Sequence, residues 1–232
     1  MLRGLNLKIP VILVLVVLFH NCVAQAEPVQ LSLCNPIQLY PEQSSVEGVR
    51  LNLLYGRNQD VTGFDIGLVN CASRNVAGLQ VAAVLNIVQS DMTGAQLASL
   101  CNYVNADVRG VQCGSANIVT GSMCGGQIAV ALTASANITD RLDGIQLSAA
   151  LISLNKAVKV RGVQFNLGLL GNHADDVDGV QISATCNSAA NVKGLQFGIV
   201  NYCEAMSGIQ IGLLNIIRTS PLPFLPIVNA SF

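Results

Sequence analysis

Apolar positions in this chain alternate with other residues in short stretches, and the alternation restarts at a glycine each time. One phrase recurs eleven times between Gly48 and Gly208: apolar, any residue, Gly, apolar, Gln, apolar, a small residue, apolar, then an Asn a few positions on. It is clearest in Val61-Thr62-Gly63-Phe64-Asp65-Ile66-Gly67-Leu68-Val69-Asn70 and in Val192-Lys193-Gly194-Leu195-Gln196-Phe197-Gly198-Ile199-Val200-Asn201. Residues one, three and five after the glycine are mostly apolar, as in Phe64, Ile66 and Leu68 or Val163, Phe165 and Leu167. A period of two predicts strands. A glycine in every unit and the many β-branched residues argue against helix.

The repeat glycines are Gly48, Gly63, Gly78, Gly94, Gly110, Gly125, Gly144, Gly162, Gly179, Gly194 and Gly208, spaced by 15, 15, 16, 16, 15, 19, 18, 17, 15 and 14 residues. No interval has room for another domain. The expected organisation is a signal peptide at 1–26, an N-terminal cap at 27–45 with Pro36 and Pro41, a β-repeat domain at 46–220, and a proline-rich C-terminal cap at 221–232. Repeats this short bury an apolar face only by stacking, and a bare terminal unit would expose strand edges, so atypical ends are required.

Two closures compete. In a parallel β-solenoid each unit makes one coil, glycine stacks on glycine and Gln on Gln at about 4.8 Å per coil, so near-identical units follow. An antiparallel outer-membrane β-barrel would need two alternating unit types and aromatic girdles, whereas the chain has one unit type, no Trp, 4 Tyr and 6 Phe. Phe232, ending the chain after Phe224-Leu225-Pro226-Ile227-Val228, is the barrel-like feature. All-β with a parallel solenoid of about eleven repeats is the expected fold, with the barrel as its alternative. The solenoid is expected to bury Phe64, Ile66 and Leu68 within its coil.

The alternate face carries Gln80, Gln96, Gln112, Gln127, Gln146, Gln164, Gln181, Gln196 and Gln210, one phase in nine of the eleven units. A primary amide both donates and accepts, so such a column reads as a structural ladder. Gly67, Ala82, Ala98, Gly114, Ala129, Gly198 and Gly212 beside it read as a flat face suited to docking. Asn70, Asn86, Asn102, Asn117, Asn201 and Asn215 read as turn residues, since Asn tolerates left-handed backbone.

Composition narrows the function classes. Arg3 and Lys8, the apolar run from Ile9 to Phe19, and Ala24-Gln25-Ala26 have the form of a secretory signal. Beyond it remain 10 Lys or Arg against 13 Asp or Glu, a net of −3 with no basic stripe, which speaks against a nucleic-acid partner. Charged residues make up 11% of the chain and hydrophobic ones 51%, against about 25% charged in ordinary domains. A chain so poor in charge packs in an ordered array or lies against lipid. Seven Cys follow the signal: Cys34, Cys71, Cys101, Cys113, Cys124, Cys186 and Cys203. They replace Ala, Val or Ile of other units and read mainly as small buried hydrophobes, with one or two disulfides as the alternative.

One stretch departs from the pattern. Gly171-Asn172-His173-Ala174-Asp175-Asp176-Val177-Asp178-Gly179 reads as an acidic loop, either solvated or holding a hard cation through its carboxylates. It lacks the spacing of a complete EF-hand. Nucleophile-elbow, phosphate-loop and zinc motifs are missing from the sequence, and no catalytic residue, metal site or cofactor is expected.

The run Val46-Glu47-Gly48-Val49-Arg50-Leu51-Asn52-Leu53-Leu54-Tyr55-Gly56, the unit after it, and the ending Pro223-Phe224-Leu225-Pro226-Ile227-Val228-Asn229 with terminal Phe232 resemble a family of bacterial surface-repeat proteins. The resemblance covers most of residues 34–232 and departs from Gly125 to Gly179, where longer spacings and Ala-rich text suggest bulged units. It implies an exported, surface-repeat character and no activity. The expected function is therefore non-enzymatic: a bacterial surface protein, secreted or outer-membrane associated, with a structural role or a protein or glycan partner. The rivals are a barrel acting as channel or anchor and a carbohydrate-active β-helix enzyme. The latter calls for charged residues at matching phases on neighbouring coils, and none is read outside the acidic stretch.

Overall fold

The computed structural model describes residues 26–232. The expected signal peptide, with Cys22, lies outside these residues apart from Ala26. Sixteen strands lie among the described residues: β1 (Glu27–Cys34), β2 (Ile37–Gln38), β3 (Val46–Asn58), β4 (Val61–Ala72), β5 (Val76–Val88), β6 (Met92–Ala98), β7 (Cys101–Val104) and β8 (Val108–Gly114). They continue as β9 (Ala116–Val119), β10 (Ser122–Val130), β11 (Ala134–Ala149), β12 (Ile152–Asn166), β13 (Gly171–Ser183), β14 (Cys186–Phe197), β15 (Val200–Ile217) and β16 (Phe224–Ser231).

Successive units pair in parallel and in register. Gly48 lies beside Gly63, Gly63 beside Gly78, and so on through Gly194 beside Gly208. The chain is thus a β-solenoid of about twelve turns, roughly 50 Å long at the spacing of parallel strands. Its sheet has two ends, β2 and β16, and does not close into a barrel. A channel lined by Gln is excluded with it, because the repeat Gln side chains are wholly buried. No helix among the described residues is long and apolar enough to cross a membrane.

The two ends differ from the repeats in pairing. β1 enters as a partial coil, placing Gln30 beside Arg50, and β2 folds back on it antiparallel. β16 lies antiparallel on β15, setting Asn229 beside Gln210. Both segments cover strand edges that would otherwise offer free backbone groups.

Which face is inside corrects the sequence expectation. Phe64 is 55% and Ile66 45% exposed, while Asp65 between them is fully buried. The Gln column points inward throughout. So does the residue two before each glycine, from Val46, Val61 and Val76 through Met92, Met123 and Leu142 to Met206. Alternation separates two faces without saying which one is inside. The inward set wins because its amides satisfy one another along the axis, and each Val or Met beside them gains roughly 1.5–3 kcal/mol on burial.

The small residues beside the Gln column likewise have their Cβ direction inward, although Ala98 and the glycines are half-buried. Ala82 and Ala129 are buried, and a Cβ on Gly67 would lie 2.7 Å from Asn70 Oδ1. They make room for side-chain amides and form no docking face. The repeat Asn residues are buried on strands, and none has the left-handed backbone expected for a turn: Ile227 is the one non-glycine with positive φ among the described residues.

The long middle units keep their register, with Gly125, Gly144, Gly162 and Gly179 in line. Their additional residues all fall in one turn. Gln112 and Asn117 are five residues apart, whereas Gln127 and Asn137 are ten apart, Gln146 and Asn155 nine, and Gln164 and Asn172 eight. The coil absorbs insertions on one edge and leaves the stacked columns untouched.

Candidate functional site

Inside the coil, two amide columns run the length of the solenoid. Gln96 Nε2 donates to Gln80 Oε1 at 2.7 Å, Gln112 to Gln96 at 2.7 Å, and the chain of donors continues through Gln127, Gln146, Gln164, Gln181 and Gln196 to Gln210 at 2.7–3.0 Å. Every donor points towards the N-terminal end. The Asn column runs the other way: Asn70 Nδ2 donates to Asn86 Oδ1 at 3.0 Å, Asn86 to Asn102 at 2.9 Å, and onward to Asn215. Each of these Nδ2 groups also donates to a backbone carbonyl of the next coil, as Asn86 does to Leu97 O at 2.9 Å. A carbonyl only accepts, so this second bond fixes which way each Asn amide faces.

The first two repeat units replace Gln with Arg50 and Asp65, both wholly buried. Arg50 Nε donates to Asp65 Oδ1 at 2.8 Å and Arg50 Nη2 to Asp65 Oδ2 at 2.6 Å. Asn52 Nδ2 adds a bond to Oδ1 at 3.0 Å and Gln80 Nε2 one to Oδ2 at 2.7 Å. The carboxylate therefore accepts four bonds, its full capacity. Arg50 Nη1 donates in turn to the Cys71 carbonyl at 2.8 Å. The sequence shows this pair only as two exceptions to the Gln phase. Registering Gly48 on Gly63 would have placed them face to face.

The exterior has two unlike edges. On the edge between the Asn strand and the glycine, residues three and one before the glycine bring Arg141, Asp143, Lys159, Arg161, Asp176, Asp178 and Lys193 along a groove of about 450 Å³. Asp143, Arg161, Asp178 and Lys193 occupy matching positions on four successive coils. Such a charge row was not read from the sequence, because it emerges only when unequal spacings are aligned on their glycines. Arg161 lies 3.6 Å from Asp143 in an exposed pair, worth under about 1 kcal/mol. No aromatic side chain lines this groove.

The acidic stretch is part of strand β13, not a loop. His173 faces Lys156, Asp176 faces Lys159, and Asp178 lies between Arg161 and Lys193. Asp176 and Asp178 thus sit beside bases, and no cluster of three metal-ligating side chains occurs among the described residues.

The opposite edge, between the Gln strand and the Asn strand, is apolar. Leu53, Leu100, Leu132, Leu151, Leu169 and Leu213 are all exposed there. All seven Cys among the described residues are free thiols. Cys203 is buried, and desolvation raises its pKa to about 11; burial also raises Cys101 and Cys186.

No family model matches the chain, and comparison with curated proteins and with solved structures yields no match.

Proposed function

We propose that this chain is an exported, non-enzymatic repeat protein of the bacterial cell surface, with a structural or interaction role. What supports this reading is where the polar chemistry goes. The Gln column, the Asn column and the Arg50–Asp65 pair lie inside the coil, bonded to one another, and are inaccessible to a substrate. The solenoid meets its surroundings through its two edges and through the outer strand faces, where Phe64 and Ile145 are exposed. Cell fractionation with protease treatment of intact cells tests the reading. A processed chain beginning at Glu27, found in the envelope or medium and cleaved from outside, is the expected result; an unprocessed chain in the cytosol would overturn it.

A second reading, glycan binding along the charged edge, draws on the groove of Arg141, Lys159, Arg161 and Lys193. If it holds, Arg161→Ala with Lys193→Ala weakens retention on isolated surface polysaccharide, and substitutions on the opposite edge leave it unchanged.

A further inference from the structure

The eleven segments that carry the chain from the Gln column to the Asn column, from 51–55 to 211–214, contain no Asp, Glu, Lys, Arg or His. Such a blank is not a consequence of low overall charge, because the opposite edge has charged side chains on almost every coil. Large apolar residues stand out from the coil in most of these segments, 113–116 and 182–186 being the exceptions, with Leu53 69% and Leu132 96% exposed. We propose that this edge beds into the acyl region of a lipid surface, with the solenoid axis lying in the membrane plane. The inference rests on the reading that the exterior, not the interior, carries the function, and it names the partner.

Three observations select lipid over a protein. The first concerns the backbone. A turn entering hydrocarbon does so at lower cost the more of its N–H and C=O groups are paired, and here much of the turn backbone bonds coil to coil along the axis, the N–H groups at the tips, Leu132 and Leu151, being the exceptions. Ala116 N donates to Leu100 O at 2.8 Å, Ala131 N to Ala149 O at 3.1 Å, Leu169 N to Leu151 O at 3.1 Å, and Leu214 N to Ile199 O at 3.0 Å.

The second is shape. The three lengthened turns, at 128–136, 147–154 and 165–171, lie on consecutive coils and raise Leu132, Leu151 and Leu169 into a ridge. A twofold contact would set this ridge against its own copy, although isologous interfaces need self-complementary surfaces. A fluid acyl layer accepts a convex apolar ridge without a matching cleft.

The third is charge. Protein interfaces carry polar groups at their rim that fix register, whereas this edge offers none that is ionised. Residues 27–232 have a net charge of −3, from 10 basic and 13 acidic side chains. Binding is therefore driven by apolar burial, as for an interfacial helix whose apolar face sinks about 5–10 Å, and gains nothing from anionic headgroups.

Flotation of the purified protein with phosphatidylcholine vesicles, with and without phosphatidylglycerol, tests this at low and at molar salt. Expected are co-flotation with the neutral vesicles, no strengthening by the anionic lipid, and no release by salt. A variant carrying Leu53→Asp, Leu132→Asp, Leu151→Asp, Leu169→Asp and Leu213→Asp should bind at least tenfold more weakly with an unchanged circular dichroism spectrum. The chain has no Trp, so Leu132→Trp and Lys193→Trp give single probes that do not depend on that variant. Vesicles should blue-shift the first and leave the second unmoved. Failure of the protein to float with either vesicle would overturn the inference. So would equal shifts of both probes, or a dimer in sedimentation that the Asp variant dissociates. A protein found outside the cell that ignores vesicles removes the lipid partner and leaves the surface role standing; a cytosolic protein that floats does the reverse.

Discussion

Gln80 Nε2 donates to Asp65 Oδ2 at 2.7 Å, and this bond sets the direction of the whole Gln column. A carboxylate cannot donate. Gln80 must therefore turn its NH2 towards Asp65 and its oxygen towards Gln96, and each later amide inherits that orientation. The column ends at Gln210, whose Oε1 is buried without a protein partner; the oppositely directed Asn column leaves its open acceptor at the other end, on Asn52 Oδ1.

Asp65→Gln alone leaves Arg50 charged and buried without its counter-ion, which typically costs about 3–5 kcal/mol. The double change Arg50→Gln with Asp65→Gln should recover most of the loss, because two amides continue the column where the ion pair stood. Urea unfolding followed by circular dichroism measures both. A double variant no more stable than the single one would deny the column its role at this end.

Gln196→Leu removes the donor to Gln181 Oε1 and the acceptor of Gln210 Nε2, both at 2.8 Å. Gln181 Oε1 is left unpaired, while Gln210 Nε2 keeps its bond to Ile216 O at 3.1 Å; an unpaired buried amide atom costs about 1–3 kcal/mol, so the melting temperature should fall. Gln196→Glu should be worse at neutral pH, where the introduced carboxylate faces an acceptor in a buried site. Burial raises the folded-state pKa of such a group above its unfolded value, so the folded protein binds the proton more tightly and stability drops as pH rises. The deficit of Gln196→Glu against wild type should shrink on going from pH 7 to pH 4; a pH-independent deficit contradicts the buried placement.

Gly194 has φ of 138°, and a Cβ there would collide with the Gly179 carbonyl oxygen of the preceding coil. Both the conformation and the approach demand glycine. Gly194→Val should abolish folded yield, while Lys193→Ala, an exposed neighbour, should leave yield and melting temperature unchanged.

Alkylation separates the thiols. Cys124 is exposed and Cys71 and Cys203 are buried. With its pKa raised to about 11 by desolvation, Cys203 stays a thiol at pH 8 and is a poor nucleophile. Mass spectrometry after a brief iodoacetamide pulse at pH 8 should show Cys124 modified first and Cys203 untouched until denaturant is added. Early modification of Cys203 would place it outside the coil.

The parallel stacking was legible because one unit type and one glycine phase admit a single register. The orientation of the coil was not. Phe64 and Ile66 look like a core next to Asp65, and only the neighbouring units show that the buried phase is the constant one. From Gln80 onward Gln recurs without change, and two residues before each glycine the chain always has Val, Met or Leu, whereas the outer phase drifts from Phe64 to Ala95 to Gly126. Uniformity marks the inside here because a ladder tolerates no interruption, while an outer apolar position has no fixed neighbour to match. The Asn column was misread for a related reason. Asn86 is common in turns, but its bond to Asn102 depends on a residue sixteen positions away. The charged row was hidden by the unequal spacings that separate Asp143, Arg161 and Asp178.

The opposed directions of the two columns bear on how such a chain changes length over generations. A single column of aligned amides would add its dipole with every coil, and a longer solenoid would accumulate an axial field. Here each coil contributes one Gln amide and one Asn amide pointing in opposite senses, so duplication or loss of a whole coil leaves the balance nearly unchanged. The Arg50–Asp65 pair at one end and β16 at the other are not disturbed by such an event. Coil number can thus change without altering the axial balance of the amides.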